Sequence, residues 1–469
     1  MSALHEASVA ELLALYQRGD ASPVDVARAL IEHVGRWEPS LQALYAFEPE
    51  AVLAQARESE ARWRSGTPRA LEGVPVTIKE NIATRGTPVP LGTAATELAP
   101  AAADAPPAAR LAEAGTVLLA KTTMPDYGML SSGLSSFHPL TRNPWNLALN
   151  PGGSSAGAAA AAAAGYGPLH LGTDIGGSIR LPASWCGVFG FKPSLGRIPI
   201  DPPYPGRIAG PITRRVDDAA SVMRVLSLPD ARDTMSLPYQ PIDWSRLEID
   251  LEGLRLGLHL DAGWGLEVDP ETRTMVEAAA RAFEAAGAVV ERLAPFTTRA
   301  MADGMDRFWR MRSWLDLQKL PVARRDKVLP YIRRWAEAAA GYGAAEVFEG
   351  YSQMGALRDA SVRATSAFDF VLSPVSPVPT FAAERASPVD DPERPFEHIA
   401  FTLPYNMSEQ PCASVPAGLS ADGRPIGLQI VGARHDDLGV LRLARAWERL
   451  RPALPDWPAR PAGAQAPPA

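Results

Sequence analysis

Hydrophobic positions in the first half of the chain change repeatedly between a helical spacing and short continuous runs. The helical spacing predicts N-terminal helices that begin after Ser8, which opens a capping box with Glu11, after Ser22, which is followed by proline, and near residue 49. Short apolar or β-branched runs predict three strands: 73–81, 114–125 (entered from a helix near 106–114) and 167–177. Because strands alternate with helices, the pattern predicts an α/β fold built on a layered sheet.

The second half of the chain continues the alternation. Further strands are predicted at 254–260, 288–293, 368–377 and, as a pair joined by a turn at Asp422-Gly423, within 413–432. Helices are predicted at 268–286, across the Arg- and Trp-rich stretch 300–365, and at 436–450. The stretch 382–396 is typical of a loop, and the proline-rich end of the chain is predicted to be loose.

An alanine-rich run, Asn150–Gly167, has the composition of a low-complexity linker but is apolar. Alanine is the best helix former, and a helix of alanines has a thin, smooth side that packs closely against its neighbours. The segment Gly-Gly-Ser-Ser stands where the N-terminus of such a helix would leave backbone N–H groups free. We therefore predict a serine-bearing loop that leads into a buried helix.

Length, composition and charge restrict the class of protein. A chain of 469 residues, 46% of them apolar and 21% charged, is long enough to bury a large core. The formal net charge of −7 argues against nucleic acid as the main partner, because phosphate binding requires a basic surface. Neither a signal peptide nor a membrane span is predicted, which favours a cytoplasmic protein. Cys186 and Cys412 are expected to be buried apolar residues, and no Cys/His spacing indicates a metal site.

Lysine is rare in this chain. Of the 46 basic residues only five are lysine: Lys79, Lys121, Lys192, Lys319 and Lys327. The chain uses arginine elsewhere, and arginine cannot lose its proton under physiological conditions, whereas lysine can. A lysine at a strand end is therefore weak evidence for a role in proton transfer.

Three polar elements lie at strand ends or in glycine-rich segments: Lys79, the pair Ser154-Ser155, and Ser178. A nucleophilic serine requires a base that takes its proton and donors that hold the oxyanion. The turn from Asp174 to Ser178 contains two glycines, which allow successive backbone N–H groups to point in the same direction. The pattern is compatible with acyl transfer, although Gly-Gly-Ser is also a common turn.

Two residue types are candidates for the base. Histidine is the usual one, but among the seven histidines only His170 lies near a strand end, and we predict it to be structural. Lysine acts as a base once burial lowers its pKa, and Lys79 ends an apolar strand. The alternative for Lys79 is an exposed lysine without a catalytic role.

Together these segments resemble the amidase signature family. The resemblance is carried by "GVPVTIKEN" and by "TRNPWNLALNPGGSSAGAAAAAAAGYGPLHLGTDIGGSIRLPASWCGVFGFKPSLGRIP", in the same order and with Ser178 at the same 24 positions after Ser154. It continues through 210–223, 368–379 and 404–432, and 230–365 is its least diagnostic part. It implies the amidase-signature fold, a large mixed β-sheet sandwiched between helices.

The resemblance also implies a Ser–cis-Ser–Lys triad. Ser178 would be the nucleophile, Ser154 would follow a cis peptide bond and transfer the proton, and Lys79 would be the base. The oxyanion would be held by the backbone N–H groups of Ile175, Gly176, Gly177 and Ser178. The reaction would pass through an acyl-enzyme and would need no metal or organic cofactor.

The chain departs from the family pattern at two positions. Many relatives read Gly-Gly-Ser-Ser-Gly-Gly-Ser, whereas here Ala156 and Ala158 replace a glycine and a serine. Neither change touches a triad position. We predict that Ser155 is structural and that Asp174 and Arg180 support the site without taking part in proton transfer.

The segment Thr122–Ser136 is expected to line the substrate pocket with mainly apolar residues, namely Met124, Tyr127, Met129, Leu130 and Ser131, with Ser132 beside them. Large apolar side chains of the 300–365 stretch would either cover a substrate or belong to the core: Phe308, Trp309, Trp314, Leu315 and Trp335. These residues favour a bulky apolar or aryl amide, with esters and carbamates as further expected substrates.

The expected organisation is a single domain over 1–455 followed by a loose tail at 456–469. Within the domain we expect N-terminal helices (1–65), the signature core (70–225), a more variable substrate-side part (230–400) and a return to the sheet (401–450). The expected partner is a small molecule, with the chain a monomer or homodimer.

There are three alternatives to a free-standing amidase. The first is the glutaminase subunit of a tRNA-dependent amidotransferase, which uses the same chemistry. The second is a nucleotide-binding module, which the absence of a Gly-x4-Gly-Lys-Ser/Thr run disfavours. The third is a non-catalytic scaffold, which the intact triad positions disfavour.

Overall fold

The computed structural model describes residues 4–458. Its α-helices are α1 (Val9–Arg18), α2 (Pro23–Leu41), α3 (Pro49–Arg64), α4 (Pro106–Ala114), α5 (Ala156–Ala164), α6 (Arg180–Cys186), α7 (Val216–Leu226), α8 (Pro270–Ala285), α9 (Arg299–Lys319), α10 (Val322–Arg325), α11 (Pro330–Glu337), α12 (Ala344–Thr365), α13 (Leu403–Met407) and α14 (Asp437–Leu450). The predicted capping box of Ser8 with Glu11 is formed, and Ser22 forms a second one with Asp25. The predicted helical stretch 300–365 is divided, because Pro321 and Pro330 stand at breaks between α9, α10 and α11.

The strands are β1 (Leu44–Tyr45), β2 (Pro75–Lys79), β3 (Val117–Thr122), β4 (Leu169–Asp174), β5 (Phe189–Lys192), β6 (Ile208–Thr213), β7 (Arg255–His259), β8 (Val289–Leu293), β9 (Phe370–Pro374), β10 (Cys412–Leu419) and β11 (Pro425–Gly432). Within residues 4–458 they form one sheet in the order β1-β3-β2-β4-β6-β5-β10-β11-β9-β7-β8. Strands β3, β2 and β4 are mutually parallel, as are β8, β7 and β9, and the pairs between these two groups are antiparallel. The mixed sheet of the expected fold is therefore present.

Helices cover both faces of this sheet. In β11, Leu428 and Ile430 belong to an apolar cluster that includes α4, α7, α8 and α14, whereas the neighbouring Val431 belongs to another cluster. Successive residues of a strand point to opposite faces of the sheet. Because both odd- and even-numbered positions of β11 are apolar, both faces of the sheet are buried. The alanine helix α5 packs with α6 and Ile212 in a third cluster, separate from that of α8 and α14.

Strands β5 and β6 were not predicted from the sequence. Strand β6 contains Gly210 and Pro211, and both residues are unfavourable in a strand interior. Gly210 is needed there because a Cβ atom would lie 2.0 Å from the carbonyl oxygen of Phe191. The close approach of β5 and β6, which local sequence patterns do not report, decides this part of the sheet.

Trp457, near the end of the described chain, contacts residues of the folded domain. The indole of Trp457 lies 6.2 Å from the ring of Trp145, and the Arg214 guanidinium lies 4.5 Å from the Trp457 ring. The ring of Trp457 therefore packs on an apolar and cationic surface, while the loose tail over 456–469 stays a prediction. The rest of the predicted tail, 459–469, lies outside the described residues. In the described range, no helix combines the length and the apolar character that crossing a membrane requires.

Candidate active site

Lys79 is the last residue of β2, a strand that is buried along its whole length. Strand β2 lies between the parallel strands β3 and β4, with Ile78 opposite Leu171. The carboxyl ends of parallel neighbours meet at one edge of a sheet, so Lys79 meets the end of β4 at Thr173 and Asp174. The sheet order thereby brings together residues that are more than 90 positions apart.

The ammonium group of Lys79 is buried and surrounded by hydroxyl groups. Its Nζ donates to Ser154 Oγ at 2.8 Å, to Thr173 Oγ1 at 3.0 Å and to Ser155 Oγ at 3.1 Å. Burial, assisted by the charge of Arg207, lowers the pKa of Lys79 to about 7, against the opposing influence of Asp174 and Glu80. Lys79 can therefore exchange a proton near neutral pH, as a base must.

Ser154 and Ser155 stand immediately before helix α5, as the sequence predicts for a serine-bearing loop. The peptide bond between Gly153 and Ser154 is cis. Ser155 Oγ donates to the carbonyl oxygen of Thr173 and accepts from the N–H of the same residue, so it fastens the loop to β4. These contacts support the structural role predicted for Ser155.

Helix α5 is completely buried, and its single glycine, Gly157, marks the point of closest approach to neighbouring segments. A Cβ atom on Gly157 would lie 2.1 Å from the carbonyl oxygen of Ala43 and 2.5 Å from the N–H nitrogen of Thr123. Ala156 and Ala158, by contrast, are accommodated with no exposed surface. The helix therefore approaches its neighbours at Gly157, and the two departures from the family pattern fall where a methyl group fits.

Ser178 follows the glycine turn at the end of β4 and is partly exposed to the cavity described below. Its carbonyl oxygen accepts from the N–H of Ser155 at 3.1 Å, which ties the two serine-bearing loops together. Within residues 4–458 its hydroxyl makes no hydrogen bond, so the hydrogen bond between Ser178 Oγ and Ser154 Oγ that a proton relay requires is not formed. Such contacts commonly tighten only when substrate binds.

Asp174 shapes the turn that precedes Ser178. Its carboxylate accepts from the N–H groups of Gly177 at 2.8 Å and Ile179 at 3.0 Å. Gly177 has φ +123°, a conformation that side-chain-bearing residues rarely adopt. The structure therefore differs from the prediction of four free oxyanion donors, because the N–H of Gly177 is engaged by Asp174. The N–H groups of Ile175, Gly176 and Ser178 have no hydrogen-bond partner in the part of the chain that the structure describes.

Asp174 is itself held by a buried ion pair with Arg180, at 2.9 Å. Burial alone would raise the pKa of Asp174, but the Arg180 guanidinium and the N–H donors hold it well below its usual range. Arg180 also donates to Gln429 Oε1 at 2.8 Å and to the carbonyl oxygen of Thr402 at 3.0 Å. The turn is thus fastened to β11 and to the segment before α13.

Replacing Asp174 by Asn is expected to destabilise the fold by about 3 kcal/mol, because the buried Arg180 would lose its counter-charge. The measurement is the change in urea unfolding midpoint at pH 7. The control is Asp20→Asn, which removes an exposed ion pair with Arg18 and is expected to cost less than about 1 kcal/mol. Equal, small effects of the two substitutions would contradict the role assigned to Asp174.

The serines open into a cavity of about 600 Å³. Its walls include Ser154, Ser178 and the end of β4, and all five residues predicted for the pocket line it: Met124, Tyr127, Met129, Leu130 and Ser131. Ser132, in contrast, is buried behind the loop, where its hydroxyl donates to the carbonyl oxygen of Arg385. The cavity therefore joins the candidate nucleophile to a largely apolar surface.

Helices α9 and α11 supply part of the opposite wall. Of the five large side chains singled out in 300–365, only Trp309 lines the cavity. Trp335 is in the core with its Nε1 donating to Asp306, Phe308 packs on Tyr351, and Leu315 is exposed. Trp314 is partly buried outside the cavity wall.

Several residues that line the cavity were not predicted from the sequence. They come from short loops and single helix positions: Asn81, Leu91, Tyr204, Arg207, Arg312 and Phe396. Thr173, which accepts from both Lys79 and Asn81, was also missed although it stands in the segment "LGTDIGG". Thr173 could have been predicted, because it is a polar residue close to the end of a buried strand. The sequence carries no comparable signal for the other six cavity residues.

The remaining basic candidates lie elsewhere. His170 is buried, contacts Thr77 and the carbonyl oxygen of Gly167, and burial lowers its pKa to about 3. Lys121 and Lys192 are also buried, and burial lowers their pKa to about 7 and about 8. Their ammonium groups donate to backbone carbonyl oxygens, of Ile82 for Lys121 and of Gln410 and Pro193 for Lys192, rather than to a serine.

Both cysteines are buried and free, as predicted. Among residues 4–458, no three side chains of His, Cys, Asp or Glu are grouped so that they could hold a metal ion.

Comparison with known proteins identifies the family. The family model described as Amidase matches residues 25–441. A glutamyl-tRNA(Gln) amidotransferase subunit of Myxococcus xanthus (strain DK1622) is 34% identical, with 95% of this chain and 97% of that protein aligned. An acylamidase of Rhodococcus erythropolis is also 34% identical, with 96% of each chain aligned.

A solved structure of a bacterial aryl acylamidase, described as an amidase signature enzyme, matches with a TM-score of 0.88 and 30% identity, covering 96% of this chain and 97% of that one. The predicted resemblance and the predicted fold are therefore confirmed. The chain belongs to the amidase signature family of amide-hydrolysing enzymes.

Proposed function

We propose that this protein hydrolyses the C–N bond of small-molecule amides through an acyl-enzyme on Ser178. The observation that carries the proposal is the buried Lys79, whose Nζ donates to Ser154 Oγ at 2.8 Å at the base of the cavity that Ser178 also lines. Ser178 is the nucleophile, Ser154 transfers the proton and Lys79 is the base.

The reaction begins when Ser178 Oγ attacks the substrate carbonyl carbon. The Ser178 proton passes to Ser154, and the Ser154 proton passes to neutral Lys79. The N–H groups of Ile175, Gly176 and Ser178 itself stabilise the oxyanion. When the C–N bond breaks, Ser154 gives a proton to the leaving nitrogen and takes one back from Lys79, which becomes neutral again. Water then attacks the acyl group and gives its proton to the same relay, and the acid is released as Ser178 recovers its proton.

The proposed substrate carries a bulky apolar or aryl group. Most of the cavity wall near the serines is apolar, with Leu91, Met124, Leu130, Trp309 and Ile399 among its residues. Burying a side chain of aromatic size in such a surface stabilises binding by about 2 kcal/mol. Esters and carbamates, whose carbonyl groups present the same geometry to Ser178, are proposed as further substrates.

A hydrolysis panel on the purified chain tests the proposal. It comprises 4-nitroanilides with acetyl, hexanoyl and benzoyl groups, together with the corresponding primary amides, 4-nitrophenyl esters and carbamates. We expect kcat/KM to rise at least about tenfold from acetyl to the larger acyl groups. The Ser178→Ala protein, purified in parallel, controls for contaminating hydrolases. Equal rates for wild-type and Ser178→Ala protein on every substrate would reject the proposed function.

A second candidate is the glutaminase subunit of a tRNA-dependent amidotransferase. It is favoured by the relative from Myxococcus xanthus, whose identity to this chain equals that of the acylamidase. Glutaminase activity that appears only with two co-purifying subunits, and no hydrolysis of simple amides by the isolated chain, would support this candidate. We favour the free-standing amidase because of the apolar cavity.

A further inference from the structure

One end of the cavity differs from its apolar wall. Tyr204 and Arg207 come from the loop that precedes β6, and Arg312 comes from α9. Arg207 and Arg312 are 105 positions apart in the sequence, yet both line the same cavity as Ser178. Two guanidinium groups in a cavity whose remaining wall is mainly apolar are unusual, because charged groups away from bulk water normally have a partner of opposite charge.

Neither guanidinium has an acidic partner. In the described range, 4–458, no carboxylate oxygen lies within 4.0 Å of a nitrogen of Arg207 or Arg312. Within the same residues, the only hydrogen bond of the Arg207 side chain is from Nη1 to the carbonyl oxygen of Pro202, at 2.9 Å. Arg312 stacks on the ring of Tyr204, with its guanidinium carbon 4.4 Å from the ring centroid. Most of the donor capacity of both groups is therefore unused.

The surroundings make these free charges costly. Burial, with the charge of Arg312 added, lowers the pKa of Arg207 to about 10, so the two cations repel each other in a partly dehydrated place. The hydroxyl of Tyr204 is buried beside them and has no hydrogen-bond partner within residues 4–458. Apart from the one carbonyl oxygen that Arg207 binds, these three polar groups lie together without an acceptor, and a further acceptor would relieve the cost.

The three carboxylates in the same wall do not supply it, and Asp174 is already paired with Arg180. Asp316 pairs with Lys319 at 2.9 Å. Asp201 is exposed to solvent. Its negative charge raises the pKa of Arg207, but this effect is smaller than the lowering caused by burial and by the charge of Arg312. A carboxylate of the substrate would find two unpaired guanidinium groups and the Tyr204 hydroxyl within one corner of the cavity.

We propose that Arg207 and Arg312 form an anion-binding subsite that selects amides carrying a carboxylate on the group bound in the cavity. The inference rests on the proposed function of Ser178 and names the substrate class more closely. The apolar wall holds the body of an aryl or alkyl group, and the carboxylate at its far end binds the two guanidinium groups. Arginine suits this role because its planar donor fork matches the two oxygens of a carboxylate.

The test uses pairs of substrates in which a carboxylate is replaced by an isopropyl group of similar shape. For the acyl side the pair is glutaryl 4-nitroanilide and 5-methylhexanoyl 4-nitroanilide. For the leaving group it is 4-acetamidobenzoate and 4-isopropylacetanilide. In at least one pair we expect kcat/KM of wild-type protein to be about 10- to 100-fold higher for the carboxylate, the range that charge-assisted hydrogen bonds support.

Variants assign the preference to the two arginines. In Arg207→Gln and in Arg312→Gln the ratio of kcat/KM between carboxylate and isopropyl substrates is expected to fall at least about tenfold, measured at one pH. Arg312→Lys is expected to recover part of the ratio, because the charge remains but the fork is lost. The matched control is Arg281→Gln in α8, an exposed arginine outside the cavity wall, which should leave the ratio unchanged.

Binding to the Ser178→Ala protein separates this inference from the proposed function. Calorimetry with each member of both pairs needs no turnover, so it reports on the subsite even if Ser178 is not the nucleophile. Tighter binding of a carboxylate member that is lost in Arg312→Gln supports the subsite. Equal or weaker binding of both carboxylates than of their isopropyl partners overturns it, while hydrolysis of the isopropyl substrates by wild-type protein would leave the proposed amidase function intact.

Discussion

The Ser178→Ala protein is expected to hydrolyse its best amide substrate about 10⁴-fold more slowly than wild type, with an unchanged unfolding midpoint. The rate falls because the bond to the substrate carbon cannot form. Stability is retained because the Ser178 hydroxyl has no hydrogen-bond partner among the residues described and is partly exposed. The measurement is kcat from single-turnover kinetics, together with thermal unfolding.

Two neighbouring serines provide the controls. Ser154→Ala is expected to be nearly as damaging, since Ser154 is the side chain that joins Lys79 to the nucleophile in the proposed relay. Ser155→Ala should be milder, because Ser155 binds Thr173 and acts only as one of three acceptors around Lys79. A fluorophosphonate probe should label wild-type protein at Ser178 alone. Labelling at Ser154 or Ser155 would show that the nucleophile has been misassigned.

Lys79→Arg is expected to lower kcat by about 10³-fold, although it keeps the positive charge, because guanidinium does not release its proton. In wild-type protein kcat should rise about tenfold per pH unit below the pKa of Lys79, which is about 7, and reach a plateau above it. Lys121→Met serves as the control, since Lys121 has a similarly lowered pKa but contacts a backbone carbonyl group. A pH–rate midpoint that moves in Lys121→Met, or an active Lys79→Arg protein, would contradict the assignment of the base.

The lowered pKa of Lys79 also has a consequence for stability. An unfolded lysine is protonated up to about pH 10.4, whereas folded Lys79 loses its proton near pH 7, so the unfolded chain binds more protons in between. The contribution of Lys79 to folding is therefore most unfavourable below pH 7 and becomes less so as the pH rises to about 10. We expect Lys79→Met to gain stability over wild type at pH 6 and to lose most of that gain by pH 10. A gain that is constant across this range would mean that Lys79 keeps its ordinary pKa.

Local sequence signals predicted those parts of the molecule whose structure depends on near neighbours along the chain. The capping box at Ser8, the proline after Ser22, the β-branched run of β2 and the alanines of α5 each define their element within a few residues. The long signature around Ser154 and Ser178 predicted the family and the mixed sheet. It also placed Met124, Tyr127, Met129, Leu130 and Ser131 in the cavity wall.

Other features depend on contacts between distant segments, and the sequence alone left them undetermined. The rarity of lysine did not distinguish Lys79 from Lys121 and Lys192, and all three side chains are equally buried. Lys79 lies beside the serines because its strand, β2, pairs in parallel with β4. Strand β6 forms despite its glycine and proline because β4 and β5 pair with it on both sides.

The sequence by itself determined most of the elements outside β5 and β6, the family and the candidate triad, because these depend on local patterns and on one long motif. Tertiary structure alone decided which donors of the glycine turn remain free, since the carboxylate of Asp174 turns back onto Gly177. It also brought Arg207, from the loop before β6, and Arg312 of α9 to the same corner of the cavity. No periodicity or spacing records such a meeting, because the packing of helix against sheet, and not the chain between them, sets the distance.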